Sequence, residues 1–125
     1  MLARRLFGGL ADESSFDLVL VTILTPVEYC FCGPSEEEAK SQFGEENIDV
    51  LGSLFCPFEW STAQRQKEEC YVKLIVKREN KKVIGFQYIG PNARMSCQGF
   101  AGMISLGATV EDFDEFIKIQ GHEIF

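Results

Sequence analysis

The feature that most constrains the fold of this chain is the run YIGPNARMSCQGFAGMISLGATVEDFDEFI at residues 88–117. Pro91 has no amide hydrogen to donate and disfavours helix in the residue before it, so a strand should end at Gly90. Asn92 is a favourable N-cap, and apolar residues then recur at the spacing of one helix face. Those residues are Ala93, Cys97, Phe100, Ala101 and Ile104. The run therefore predicts a strand, a tight turn and a helix over residues 92–106.

Two glycines lie inside that predicted helix. Gly99 and Gly102 each cost about 1 kcal/mol relative to alanine, and such a cost usually indicates that another backbone approaches closely. Gly107 is placed to adopt the left-handed conformation that ends a helix. Thr109 and Asp112 then form a capping pattern that opens a second helix. That second helix is expected to bury Val110, Phe113, Phe116 and Ile117.

Runs rich in apolar and β-branched residues predict strands in the rest of the chain. These runs are Phe16–Leu24, Val27–Cys32, Ile48–Phe55, Cys70–Lys77 and Val83–Ile89. The first run lacks polar alternation, which predicts that both of its faces are covered. Residues 79–81 are expected to form the turn of an antiparallel hairpin between the last two runs.

One further helix is predicted between the second and third strands. Ser35 and Glu38 form a capping box at its start, Ala39 and Phe43 supply its apolar side, and Gly44 ends it. The order of these elements predicts an α+β fold, in which helices pack on one side of an antiparallel sheet.

Composition excludes several classes of function. A chain of 125 residues with 46% hydrophobic residues has the length and composition of one globular domain. Its net charge of −7 argues against nucleic acid and anionic membranes as partners, because both require basic surfaces. No apolar run approaches the roughly 20 residues of a membrane-spanning helix.

The five cysteines have no regular spacing and follow no secretory signal, which favours reduced and mostly buried thiols. Cys30 and Cys32 would face the same side of a strand about 6.6 Å apart, so a disulfide between them needs local distortion. Structural thiols are the favoured interpretation of this pair, and a small thiol-redox enzyme that uses both is the alternative. With a single histidine in the chain, the sequence indicates no zinc site.

Several segments in order resemble one family. GPNA, QGFA and LGATVEDFDEFI, together with TPVEY, SEEEA, FGEENI and PFEW, are similar to the C-terminal interface (dimerisation) domain of the pyridine-nucleotide disulfide oxidoreductases. The closest resemblance is to the thioredoxin reductases and thioredoxin-glutathione reductases. The resemblance implies that residues 1–15 are the remnant of an FAD-domain helix with a linker, and that residues 16–125 form the interface domain.

The resemblance also implies a function. In the whole enzyme electrons pass from NADPH through FAD to a disulfide, and this domain forms a homodimer through the 92–106 helix. The implied interface residues are Asn92, Arg94, Met95, Gln98, Gly99, Gly102 and Met103. The family has a glycine and a glutamate where this chain has Arg94 and Met95, so we expect a weakened contact at that turn.

The family's catalytic parts are not found in this sequence. The histidine of the family's IHP motif corresponds to Gln120, and His122 with Glu123 are only weak catalytic candidates because they are displaced and adjacent. The redox CxxxxC motif, the nucleotide-binding glycine fingerprints and the C-terminal redox tail are missing. GFAGMISLG is rejected as a phosphate loop because it lies within a predicted helix.

The chain alone is therefore predicted to have no reductase activity and no cofactor or metal site, while FAD and NADPH are implied for the whole enzyme. A third interpretation is an interaction module that pairs with an intact reductase. The expected location is the cytoplasm, with the mitochondrial matrix as the alternative.

Overall fold

The computed structural model describes residues 6–8, 18–56, 60 and 70–119 of the chain. Its strands are β1 (Val21–Ile23), β2 (Glu28–Cys32), β3 (Ile48–Phe55), β4 (Cys70–Lys77) and β5 (Val83–Gly90). Its α-helices are α1 (Glu36–Phe43), α2 (Ala93–Ser105) and α3 (Val110–Ile119), with a 3₁₀ turn at Glu45–Asn47. The strands form one antiparallel sheet in the order β1-β2-β5-β4-β3. The predicted α+β fold with an antiparallel sheet is confirmed.

The hairpin between β4 and β5 forms where the sequence predicts it. The amide of Lys77 donates to the carbonyl of Lys82 at 2.9 Å, which closes the turn. Within the turn, Asn80 Oδ1 accepts from the amide of Lys82 at 3.1 Å, and Lys81 adopts a φ of +56°. A local side-chain acceptor therefore stabilises the reversal.

The sheet has a separate core on each face. On one face α2 and α3 pack on a cluster that includes Val72, Leu74, Val76, Phe86 and Phe113. On the other face α1 packs through Ala39 on Ile48 and Ile75. Because Ile75 alternates with Leu74 and Val76 along β4, its side chain lies on the opposite face. The expectation that all helices pack on one side is thus corrected, since α1 covers the face opposite α2 and α3.

The start of α1 follows the predicted capping box. Ser35 Oγ accepts from the amide of Glu38 at 3.2 Å, and the Glu38 carboxylate accepts from the amide of Ser35 at 2.8 Å. Glu36 then pairs with Lys40 at 2.9 Å and with Lys73 of β4 at 3.4 Å. These hydrogen bonds lower the pKa of the Glu36 carboxyl, the contact with Lys40 being the stronger cause. Together they fix the helix to its face of the sheet.

The first predicted strand is shorter and more exposed than expected. Within Phe16–Leu24 the structure describes a strand only at Val21–Ile23, and Val21 and Ile23 are both exposed. This strand pairs only with β2 among the described strands, so it lies at an edge of the sheet. The first predicted strand is therefore not covered on both faces of the sheet. The expectation drawn from its lack of polar alternation is wrong.

A row of large apolar side chains crosses the face of the sheet that carries α1. The strand registers pair each of its five members with the next one on the neighbouring strand. From the β1 edge to the β3 edge they are Ile23, Tyr29, Ile89, Tyr71 and Leu54. Four of the five are exposed among the described residues, Tyr29 being partly buried. We refer to this surface as the sheet row. It lies on the opposite side of the sheet from α2.

The helix α3 begins at the predicted cap. Thr109 Oγ1 accepts from the amide of Asp112 at 3.3 Å, while the Asp112 carboxylate accepts from the amide of Thr109 at 2.7 Å. Phe113 and Ile117 are buried as expected, whereas Val110 and Phe116 are partly buried. The rings of Phe86, Phe113 and Phe116 surround Phe100 of α2, with centroids 5.0–5.6 Å from its own. The phenylalanine cluster therefore joins α2 and α3 to the sheet.

Candidate functional site

The helix α2 presents the candidate site. Its inner face is formed by Ala93, Cys97 and Ile104, which are buried against β2 and β5. Its last turn ends as the sequence predicts: Gly107 has a φ of +79° and donates to Ile104 at 2.9 Å, while Ala108 donates to Met103 at 3.1 Å. This pair of hydrogen bonds is a Schellman motif, which satisfies the carbonyls at the end of the helix.

The start of α2 is capped differently from the prediction. Asn92 occupies the N-cap position but adopts a left-handed φ of +55°, and its side chain makes no capping hydrogen bond to the described residues. Instead, Glu28 Oε2 on β2 accepts from the amide of Arg94 at 3.1 Å. A carboxylate at a helix N-terminus also complements the helix dipole. The expected role of Asn92 is thus taken by a residue that is distant in sequence.

The outer face of α2 carries a stripe of exposed residues, which we call the outer stripe. Its members are Met95, Gln98, Gly99, Gly102 and Leu106. Met95 is 70% exposed and Leu106 is 89% exposed, so two large apolar side chains flank Gly99 and Gly102, which have no side-chain bulk. Exposed apolar side chains grouped in this way are typical of a surface that contacts another molecule.

The two glycines of the outer stripe are not required by packing within the described part of the chain. A Cβ atom at Gly102 would meet no described atom within 4 Å, and one at Gly99 would meet only the ring of Phe116, at 3.7 Å. The single contact at Gly99 is at ordinary van der Waals distance. The sequence predicts a close backbone neighbour for these glycines, and no described segment of this chain supplies it.

Six of the seven sequence-predicted interface residues are exposed, and their role in an interface stays a prediction. Asn92, Arg94, Met95, Gln98, Gly99 and Gly102 are all exposed. Met103 is partly buried and packs against the main core, so it is less accessible than expected. Leu106 was missed although its position continues the spacing of Met95, Gly99 and Gly102, which would have identified it.

The cysteines pair differently from the prediction. Cys30 forms a disulfide with Cys97, which joins β2 to α2 across 67 positions in sequence. The expectation that the cysteines are reduced thiols is therefore wrong for these two. The expectation fails because the spacing of the cysteines in the sequence does not reveal that α2 packs on β2, which brings Cys97 next to Cys30. Cys30 is consequently not available for a redox pair with Cys32.

Cys32 lacks the features of a reactive thiol. It is buried, it forms no disulfide within the described part of the chain, and its Sγ donates to the carbonyl of Leu18 at 3.3 Å. Burial raises the pKa of the Cys32 thiol above its ordinary value, which depletes the nucleophilic thiolate. The alternative of a thiol enzyme built on Cys30 and Cys32 is therefore not favoured.

Other sequence-predicted features can be placed only in part. His122 and Glu123 lie outside the described residues. Gly99 and Gly102 lie inside α2 and not at a strand-to-helix turn, so they form no dinucleotide loop. Within the described residues, no group of three or more His, Cys, Asp or Glu side chains could hold a metal ion. No described helix is long and apolar enough to cross a membrane.

Comparison with known proteins identifies the domain. The profile described as the pyridine nucleotide-disulphide oxidoreductase dimerisation domain matches residues 19–121. Thioredoxin reductase SEP1 of Emiliania huxleyi is 43% identical over 120 residues, which are 95% of this chain and 24% of that protein. The chain thus spans about a quarter of the length of this curated relative. The matched region contains the sheet, the outer stripe and the three helices α1, α2 and α3, and the chain belongs to the pyridine nucleotide-disulphide oxidoreductase dimerisation-domain family.

Proposed function

We propose that this chain is the dimerisation domain of a thioredoxin reductase-type flavoprotein disulfide oxidoreductase, and that it associates with a second copy of itself through the outer stripe. The observation that carries this proposal is an exposed helix face on which a Cβ at Gly102 would meet no described atom within 4 Å and one at Gly99 would meet only the ring of Phe116, at 3.7 Å. Each glycine costs about 1 kcal/mol of helix stability. Close approach of a second helix explains why this loss of helix stability is tolerated, because a residue without a Cβ atom lets two helix backbones come together.

The outer stripe suits a two-fold interface, in which the same surface is used by both subunits. Met95 and Leu106 lie about 16 Å apart along the helix axis, given a rise of 1.5 Å per residue. A two-fold axis that crosses the stripe between Gly99 and Gly102 places Met95 beside Leu106 of the partner subunit. The glycines then meet at the centre, and the two apolar pairs enclose them.

Charge also favours α2 over the other two described helices for self-association. The chain has a net charge of −7, so two copies repel each other in general. The helices α1 and α3 both carry acidic residues in their first turns, whereas the sequence of α2, ARMSCQGFAGMIS, contains none. Of the three described helices, α2 therefore brings the fewest acidic side chains into contact.

FAD and NADPH belong to this proposal only as cofactors of the whole enzyme. The described residues do not fit either group, because the glycine-rich segment is helical and offers no phosphate-binding turn. We expect the chain alone to bind the dimer partner and to catalyse no NADPH-dependent disulfide reduction.

A pair of matched substitutions tests the proposal. Leu106→Glu adds a charge to the outer stripe, and Leu54→Glu makes the same change at the sheet row, where the leucine is also exposed. In sedimentation velocity we expect the unmodified chain and Leu54→Glu to form dimers, and Leu106→Glu to sediment as a monomer. A chain that stays monomeric at every concentration contradicts the proposal, as does dissociation caused by Leu54→Glu alone.

A further inference from the structure

The disulfide between Cys30 and Cys97 lies directly beneath the proposed interface. Cys97 is in the second turn of α2, next in sequence to Gln98 of the outer stripe. Cys30 is at the centre of β2, and both residues have no exposed surface. The bond therefore connects the inner side of the interface helix to the sheet.

Among the described residues, few other polar contacts hold this end of α2 to the sheet. Asn92 provides no side-chain cap there, and the first turn is tied to β2 by the hydrogen bond from the amide of Arg94 to Glu28. The inner-face neighbour of Cys97 one turn earlier is Ala93, which is fully buried but has only a methyl side chain. The covalent bond consequently contributes much of the restraint on the position of Met95 and Gln98.

We infer that the Cys30–Cys97 bond is a redox-controlled brace that holds the outer stripe in the geometry required for dimerisation. This inference rests on the proposed dimer through α2. A dithiol reduces the bond in two exchange steps. Its first thiolate attacks one sulfur, forms a mixed disulfide with that cysteine and releases the other cysteine as a thiolate; its second thiolate then attacks its own sulfur in the mixed disulfide and releases the remaining cysteine. The Cys30–Cys97 bond breaks, both cysteines become thiols, and the dithiol becomes a disulfide.

Burial determines when this exchange can occur. Because neither sulfur is exposed, a dithiol reaches the bond only after the first turn of α2 opens. Dimerisation covers the outer side of that turn and opposes its opening. Linkage makes the two effects equal: the factor by which reduction weakens the dimer is the factor by which dimerisation disfavours reduction.

The experiment uses the full chain purified without reductant and compared before and after treatment with dithiothreitol. Alkylation in denaturant should modify three of the five cysteines in the oxidised chain and all five in the reduced chain. Sedimentation velocity should show that reduction raises the dimer dissociation constant by roughly 5- to 150-fold, the usual range for coupled sites. Amide hydrogen exchange should increase more in the first turn of α2 than in α1, because the local restraint is lost in α2 in addition to any loss of global stability.

Two variants control the experiment. Cys32→Ala removes a buried thiol from the same strand outside the bond, so its dimer should keep the full response to reductant. The double variant Cys30→Ala/Cys97→Ala should dimerise like the reduced chain and should not respond.

Different outcomes contradict different claims. Five alkylated cysteines before reduction, or an unchanged dissociation constant when the count rises from three to five, overturn the brace and leave the proposed dimer intact. No dimer in either oxidation state overturns both.

Discussion

The substitution Gly102→Gln should stabilise the folded chain and weaken its dimer. A Cβ atom at this position meets no described atom within 4 Å, so the new side chain causes no clash within the chain. Glutamine is a strong helix former, and its exchange for glycine in an exposed helix interior contributes roughly 0.5–1 kcal/mol. Unfolding by urea at low protein concentration, where monomers dominate, should therefore show a raised midpoint.

The dimer should respond in the opposite direction. If Gly102 lies against the partner helix, the added side chain overpacks a close contact, which typically costs about 1–3 kcal/mol. The substitution is present in both subunits, and a total loss of only about 2 kcal/mol already weakens association about 30-fold. Sedimentation velocity over a range of concentrations measures this change.

Ser96→Gln is the matched control. Ser96 is exposed on the same helix but lies outside the outer stripe. The change should stabilise the fold by a few tenths of a kcal/mol, since serine is a better helix former than glycine, and should leave dimer affinity unchanged. The reasoning is refuted if Gly102→Gln retains the affinity of the unmodified chain, or if both variants weaken the dimer equally.

Three further predictions follow from named contacts. Glu28→Ala should lower the free energy of unfolding by about 1 kcal/mol because the amide at the start of α2 loses its acceptor; Glu28→Gln, which keeps an acceptor, should lose less in the same urea titration. Reduction of the Cys30–Cys97 bond should destabilise the fold by up to about 4 kcal/mol, the chain-entropy value for a loop of 67 residues; equal urea midpoints with and without reductant contradict it. Hydrogen bonds from the amide and hydroxyl of Thr109 lower the pKa of the Asp112 carboxyl. Its stabilisation is complete above about pH 4 and is lost as pH falls through the lowered pKa, so Asp112→Asn should flatten the acid limb of the stability profile.

Local signals in the sequence predict the helices and the hairpin well. The capping boxes at Ser35 and Thr109 and the left-handed glycine at Gly107 act within a few residues, so their patterns alone indicate where helices begin or end. The strand β4 is likewise predicted by alternation over its own length. These elements depend little on what packs against them.

Long-range contacts account for what the sequence does not predict. The cap of α2 comes from Glu28, 66 positions before Arg94, and the disulfide joins residues 67 positions apart. The face of the sheet that α1 covers is set by the packing of Ala39 on Ile75, which lies 36 positions later in the sequence. The exposure of β1 depends on its place at an edge, which is a property of strand order and not of composition. None of these contacts leaves a local pattern.

The central claim is that the chain self-associates through the outer stripe and not through the sheet row. A single measurement can distinguish these two exposed surfaces. Amide chemical shifts of the isotope-labelled chain can be followed by NMR through a dilution series. The account predicts that amides near the outer stripe, residues 95–106, shift with concentration while those of Leu54, Tyr71 and Ile89 in the sheet row do not. Concentration-dependent shifts confined to the sheet row, or none at any concentration, would contradict self-association through α2.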